Sequence, residues 1–416
     1  MRLPFTFYAM ITNVFMEGNR DLMEEGICVV VAGHICLDII PDIKALRAGG
    51  FNETFLPGHL LEVGPAALST GGVVSNTGLA LHRLGIPTKL IGKIGADAFG
   101  RIVRELIEAE GPSLAAGLVN DPQVATSYSI IINPPDVDRI VLHNPAANHT
   151  FCADDIDYDL VRRAAVFHFG YPPAMRAMYV HKGQGLADLF RHVKQTGATS
   201  SLDMCYPDPA AEAGQVDWAA ILKATLPWVD IFLPSIEELL VLLHPDKFKQ
   251  FPASAGFIMD QVTPSLLHSL SDELLAMGVP MLVIKLGVRG LYLRTDGQQA
   301  FKRFGRAAPA NLVAWSGKEL WVPPFRVAVI GTTGAGDAAI AGFLSALLRG
   351  LGPEMALTMA SAVGACNVEA ADALSGLRGW EATLERIQSG WERLPLHLQD
   401  PAWSWNQPDQ VWCRNG

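Results

Sequence analysis

The apolar runs of this chain are mostly too short to be helices, and they recur between segments of helical period. That alternation limits the fold more than any other feature. "ICVVVAG" (27–33), "TKLIGKIG" (88–95), "AAVFHFG" (164–170), "ATSSLDM" (198–204), "VDIFLP" (229–234) and "PMLVIKLG" (280–287) read as buried strands. Residues 74–84 place Val74, Leu79, Leu81 and Leu84 among the apolar positions of a helix. "DAFGRIVRELIEAEG" presents Phe99, Ile102, Val103, Leu106 and Ile107 on one face, with Gly111 as its stop. Strands alternating with helices predict an α/β fold, a mostly parallel central sheet with helices on both faces.

Two segments break the rhythm. Residues 41–70 are long and rich in Gly and Pro. Residues 124–146 hold two strand-like runs around "PPDVDR". A surface hairpin is the plain reading; a small β lid over a ligand cleft is the sharper one, since an α/β core has no need of such a ribbon. With 416 residues, no internal repeat and no low-complexity linker, one domain with a lid fits better than two domains. The expected layout is a tail at 1–26, the main domain at 27–392 with lid segments near 41–70 and 124–146, and an extension of unread role at 393–416.

Bulk properties narrow the function. The chain is 50% hydrophobic and 18% charged, a core-forming composition. A formal net charge of -10 argues against a nucleic-acid binder or a basic membrane-surface protein, and no apolar run is long enough to span a bilayer. The six cysteines form no CxxC pair, which points to free thiols in a reducing compartment and a cytoplasmic protein. The N-terminal stretch carries one Arg before its apolar residues and no small-x-small cleavage site, so it reads as a tail outside the fold.

"GTTGAGDAAIAGFLSALLRG" (331–350) carries the chemistry. "FRVAVIG" ahead of it reads as a strand. Ile340, Phe343, Leu344, Leu347 and Leu348 behind it recur at helical spacing. Gly334, Ala335 and Gly336 therefore open a helix whose unpaired amides and dipole favour an anion. Lys is missing from the P-loop position, where Asp337 stands. A helix follows where a dinucleotide fold needs a strand. Alone, Asp337 reads as an ordinary exposed helix-end acid. Beside an anion cradle, an ionised carboxylate suits phosphoryl transfer to a hydroxyl, with the amides stabilising charge and the acid taking the hydroxyl proton.

On "GTTGAGD" and on "STGGVVSNTGLALHRLG" (69–85), the chain resembles the ribokinase-like (PfkB) carbohydrate kinases across roughly residues 27–380. The resemblance implies an αβα sandwich with a β lid, ATP and Mg2+ as cofactors, a sugar or nucleoside substrate, and a homodimer through the lid. It gives Gly334, Ala335 and Gly336 the anion hole and Asp337 the catalytic base. Gly71, Gly72 and Asn76 match the sugar-binding motif, and Asp38 in "GHICLDII" matches the acid that holds sugar hydroxyls. Asn148 resembles a lid-proximal residue. Lys285, Gly287, Gly290 and Thr333 fall near the nucleotide, Glu238 in "LPSIEELL" supports magnesium through water, and Asp203 resembles a strand-end acid at the site's edge. Each has a plainer alternative: a strand-end turn for Asp38, a tight turn for the glycine pair, a loop residue for Asn148, a solvated lysine for Lys285 and a helix-start acid for Glu238.

Two departures stand out. Ser235 replaces the usual Asn of the Glu238 motif. Gly331 replaces the Asp that opens the C-terminal signature and helps form a monovalent-cation site in potassium-activated relatives, so weak or absent potassium activation is expected. Sugar phosphates usually need Lys or Arg at the sugar end. "GGVVSN" has none, which leaves Lys93 or Arg139 and favours an unphosphorylated substrate. The reading of another class is a catalytically weak or inactive sugar-binding sensor on the same fold; the intact "GAGD" speaks against it.

Overall fold

The computed structural model describes residues 29–43, 57–133, 140–248 and 255–415. The segments 1–28, 44–56 and 134–139, which include the expected tail, part of the first lid segment and Arg139, lie outside them.

A ten-stranded sheet runs through the molecule. Six strands form its parallel part, in the spatial order Met281–Lys285, Ile231–Phe232, Thr199–Asp203, Val166–Gly170, Val29–Gly33 and Thr88–Ile91. The register is regular: Val29 lies opposite Val166 and Gly33 opposite Gly170, while Thr199 meets Val166 on the other side. Successive side chains of a strand point to opposite faces. Accordingly Val29 and Val31 join one buried cluster with the helices Val73–Arg83, Ala335–Leu348 and Pro353–Asn367, while Val30 and Ala32 join a second with Arg176–Thr196, Trp218–Thr225 and Pro264–Ala276. Two apolar layers on one sheet are why the strands read as continuous apolar runs rather than alternating ones.

Helix boundaries follow local chemistry. Ala98–Glu110 starts at Asp97, whose carboxylate accepts from Gly100 N at 2.8 Å, and ends at Gly111. Ile236–Leu243 starts with a capping box in which Ser235 Oγ accepts from Glu238 N and Glu238 Oε2 accepts from Ser235 N.

A second sheet of four strands, in the order Ala66–Gly71, Cys36–Pro41, Tyr128–Ile132 and Ile140–Asn144, stands beside the C-terminal end of Val29–Gly33. It combines parts of both segments that broke the strand–helix rhythm. Leu68 and Leu142 share one face of it, through the register Leu68–Ile39–Ile130–Leu142, and are about half exposed, at 44% and 52%; Val141, on the opposite face, is 48% exposed.

Two sequence readings change. "FRVAVIG" is not a strand: Phe325 makes one isolated bridge to Arg393, and Val329 and Ile330 are 64% and 67% exposed. The sheet edge at Glu319–Val322 is occupied instead by Val411–Arg414, which pairs with Trp403–Asn406. The Trp-rich C-terminal residues thus extend the central sheet, with Trp403 packed against Tyr292 and Trp321.

Candidate active site

Parallel strands deliver their functional groups at their C-terminal ends. Here His34 follows Val29–Gly33, Tyr171 follows Val166–Gly170, Asp203 ends Thr199–Asp203 and Lys285 ends Met281–Lys285. The glycine turn lies over the same edge. Gly334 adopts φ 73°, ψ 1°, a left-handed conformation that an L side chain resists, and so turns the chain into the helix Ala335–Leu348.

Asp337 sits in the first turn of that helix. It is 3% exposed, so the reading of an exposed helix-end acid is corrected. Its Oδ2 accepts from Asn76 Nδ2 at 3.1 Å and from Tyr171 Oη at 2.8 Å, and its Oδ1 accepts from Thr77 Oγ1 at 2.9 Å. Asn76 and Thr77 lie side by side on Val73–Arg83, the helix opened by the Gly71–Gly72 pair. The two glycine motifs therefore meet in space. A carboxylate has about four acceptor directions, and three are filled. Asn76 Oδ1 is buried beside it without a hydrogen-bond partner. Burial, with the charges of Asp337 and Asp203 adding, holds the Tyr171 hydroxyl well above its usual pKa, so it stays protonated and donates.

Lys285 Nζ donates to Asp203 Oδ1 at 2.6 Å, both largely buried. Burial raises the Asp203 carboxyl above the usual carboxylate range, against the pull of the lysine. Burial also opposes the lysine's charge, but Asp203, Glu238 and Asp337 outweigh it and keep the ammonium in place. A Cβ on Gly336 would lie 3.3 Å from Lys285 Cδ and 3.6 Å from Nζ, so the lysine runs alongside the turn. Gly287 and Gly290 form the tight hairpin after Lys285: Gly290 packs where a Cβ would meet Val322 O at 1.9 Å, while Gly287 faces open space.

At the other end, Asp38 lies under Gly71, where a Cβ would come 2.3 Å from Asp38 Oδ2; on Gly72 it would come 2.4 Å from His34 Nδ1. The bare glycine pair is what admits these two side chains. Asp38, Thr70, Thr333 and Ala373 line one small cleft of about 30 Å³ between the four-stranded sheet and the glycine turn. Burial holds His34 well below its usual pKa, with His143 and His149 adding.

Asn148 does not reach this cleft through its amide. It is fully buried, with Nδ2 donating to Ile35 O at 2.9 Å and Oδ1 accepting from Ile35 N at 3.1 Å, so it pins the backbone after the first strand. Lys93 is likewise engaged, by Thr150 O at 3.0 Å and Asp155 at 2.8 Å. Sequence reasoning missed Tyr171 and Thr77. The available signal for Tyr171 was its place one residue past a predicted parallel strand; for Thr77, its place next to Asn76.

The comparisons with known proteins agree with this layout. The model of the family described as pfkB family carbohydrate kinase matches residues 29–378. An uncharacterized sugar kinase of Archaeoglobus fulgidus is 27% identical over 299 residues, covering 72% of this chain and 98% of that protein. The probable fructokinase-4 of Arabidopsis thaliana is 25% identical over 324 residues, covering 77% of this chain and 81% of the relative. Among solved structures, Arabidopsis thaliana ribokinase complexed with ribose and ATP aligns with a TM-score of 0.62 at 20% identity over 86% of this chain and 98% of that one. Fructokinase with bound ATP from Xylella fastidiosa gives 0.63 at 19% identity over 87% and 98%. The structural likeness shows the ribokinase-like αβα fold. With the family match spanning the parallel sheet, the four-stranded sheet and both glycine motifs, the chain belongs to the pfkB family of carbohydrate kinases.

Proposed function

We propose that the chain transfers the γ-phosphoryl group of ATP to a hydroxyl of an unphosphorylated sugar or sugar-like polyol, with Asp337 as base. The observation that carries this reading is the triple hold on Asp337 by Asn76, Thr77 and Tyr171, with a buried orphan acceptor, Asn76 Oδ1, next to it. A substrate hydroxyl at the remaining acceptor direction of Asp337 gives its proton to the carboxylate as its oxygen attacks phosphorus. The three donors fix the carboxylate's orientation before substrate arrives. The amides of 334–336 stabilise charge on the transferring group, and Lys285 supplies a cation beside them.

ATP as donor is supported by the fold neighbours solved with it. Magnesium, a hard cation, takes carboxylate and phosphate oxygens. The acids facing Lys285 fit that chemistry: Glu238 and Asp203 would hold the ion, directly or through water, with the cation neutralising charge on the phosphates. Asp38, under Gly71, is the acceptor for sugar hydroxyls; Gly71 and Gly72 shape its pocket and Thr333 borders the cleft it shares with the turn. The engagement of Lys93 by Asp155 leaves it unsuited to a second phosphate, which favours an unphosphorylated substrate. The half-exposed Leu68 and Leu142, on one face of the four-stranded sheet, support a homodimer through it, to be checked by sedimentation.

The test is ADP release with ATP–Mg2+ across a panel of sugars, sugar phosphates and nucleosides, fructose and ribose first, for the protein and for Asp337→Asn. Turnover of an unphosphorylated sugar, lowered ~10²–10⁴-fold in the variant, is expected. Turnover confined to sugar phosphates, or an unimpaired variant, refutes the reading. No turnover at all favours a sugar-binding sensor.

A further inference from the structure

Three metal-ligating side chains meet at the junction of the two sheets. His34 follows the central strand Val29–Gly33, Cys36 opens the strand Cys36–Pro41, and His143 lies on Ile140–Asn144, the edge strand of the small sheet. One ligand atom from each lies within 4.8 Å of the others. His34 and Cys36 are 5% and 3% exposed, and His143 is open to solvent, so the cluster is buried on one side and accessible on the other.

We propose that His34, Cys36 and His143 form a zinc site that staples the edge strand of the small sheet to the end of the central sheet. The Nε2 atoms of the two histidines face each other at 3.2 Å. Tetrahedral Zn–N bonds of about 2.0–2.1 Å place two imidazole nitrogens about 3.3 Å apart. The second nitrogen of His143 suits this arrangement. His143 Nδ1 lies 3.1 Å from Ser129 Oγ, which can accept its proton and orient the ring. His34 Nδ1 has no hydrogen-bond partner, so nothing fixes that ring in the tautomer that would put the proton on Nε2. Ser129 Oγ also lies 3.6 Å from Cys36 Sγ, and the thiol donates to Asp38 Oδ1 at 3.3 Å. When zinc takes the thiolate, that proton passes to Asp38 or to solvent. Two imidazoles and a thiolate are a borderline-soft donor set that selects Zn2+ over Mg2+ or Ca2+. Three protein ligands leave a fourth position for water.

The site goes beyond the kinase reading. Absence of catalysis bears on that reading and leaves the metal test intact. The test is a Co2+ titration of the reduced full chain. One equivalent should give a thiolate-to-cobalt charge-transfer band with the visible bands of a tetrahedral ion, both erased by Zn2+. Cys36→Ser should abolish the charge-transfer band, and His143→Ala should weaken Co2+ binding tenfold or more. Zn2+ should slow amide exchange across 140–144 at least tenfold, and not in His143→Ala. A missing band, a band that survives Cys36→Ser, or exchange across 140–144 indifferent to zinc overturns the proposal.

Discussion

Tyr171 donates its phenolic proton to Asp337 Oδ2 at 2.8 Å, from a residue held at φ 67°, ψ 40°. A non-glycine residue in that region is strained, and such strain persists only where its surroundings over-determine it. Tyr171→Phe keeps the ring and the backbone and removes one charge-assisted hydrogen bond of about 1.5–3 kcal/mol. The expected result is a kcat lowered tenfold or more with sugar KM nearly unchanged, because the lost bond orients the base and does not touch the ground-state sugar. Steady-state kinetics on the sugar found in the panel checks it; a rise in KM at constant kcat would place Tyr171 in sugar binding instead.

Gly336→Ala places a methyl 3.3 Å from Lys285 Cδ. The lysine's flexible end can yield, so stability should fall by less than about 1 kcal/mol. Displacing the ammonium from the phosphate path should lower kcat about tenfold or more and raise the KM for ATP, while sugar KM stays put. A variant impaired equally toward both substrates would make the turn a structural device only.

How much of this was legible in the sequence follows from what forces each pattern. Val29–Gly33 and Val166–Gly170 are buried on both faces, so their apolar runs announced a covered parallel sheet. The 334–336 turn with Asp337 was legible because an anion cradle restricts residue type, whereas Asn76 and the Gly71–Gly72 pair were legible only through the family resemblance. Tyr171 and Thr77 were not, since their role comes from which strand end and which helix face Asp337 in space. Asn148 entered as a site residue through the family resemblance alone; its buried amide is spent on the backbone of Ile35, a pairing that no local pattern announces. "FRVAVIG" has strand propensity without a strand partner, whereas Val411–Arg414, unread in a Trp- and Pro-rich tail, has the partner. Pairing is a long-range property, and composition does not carry it.

His168, on the central strand Val166–Gly170, is fully buried, with Nδ1 2.9 Å from Ser201 Oγ and Nε2 unpartnered. Burial, with Lys285 adding, depresses its pKa from 6.5 to about 3. The sign is set by the unfolded chain, which binds a proton below about pH 6.5 while the folded one does not. Stability from the neutral ring is complete above that pH and is lost as pH falls toward 3, at about 1.4 kcal/mol per pH unit. His168→Asn keeps a polar atom near Nδ1 and removes the titration. Urea midpoints between pH 7 and 5 should fall for the parent by roughly 2 kcal/mol more than for the variant. Parallel curves would show that other groups carry the acid sensitivity.

The last prediction concerns Gly331, where potassium-activated relatives carry an acid. Gly331 N donates to Val368 O at 3.3 Å, and Ile330 N donates to the same oxygen at 2.8 Å, so the loop is tied to the end of the helix Pro353–Asn367. A Cβ on Gly331 would meet Ala370 O, Ala371 Cα and Ala371 O, each at 2.9 Å. These are backbone atoms and cannot swing aside as a side chain does. Position 331 therefore lacks both a side-chain carboxylate and the room for one. Turnover should change little when potassium is replaced by tetramethylammonium at constant ionic strength. Gly331→Asp should not install a potassium response; it should displace 370–371 and destabilise the chain by about 1–3 kcal/mol, read as a lower urea midpoint. Strong potassium activation of the parent, or a potassium-responsive Gly331→Asp of parental stability, would show that the 368–373 loop yields to build a cation site that the present packing closes.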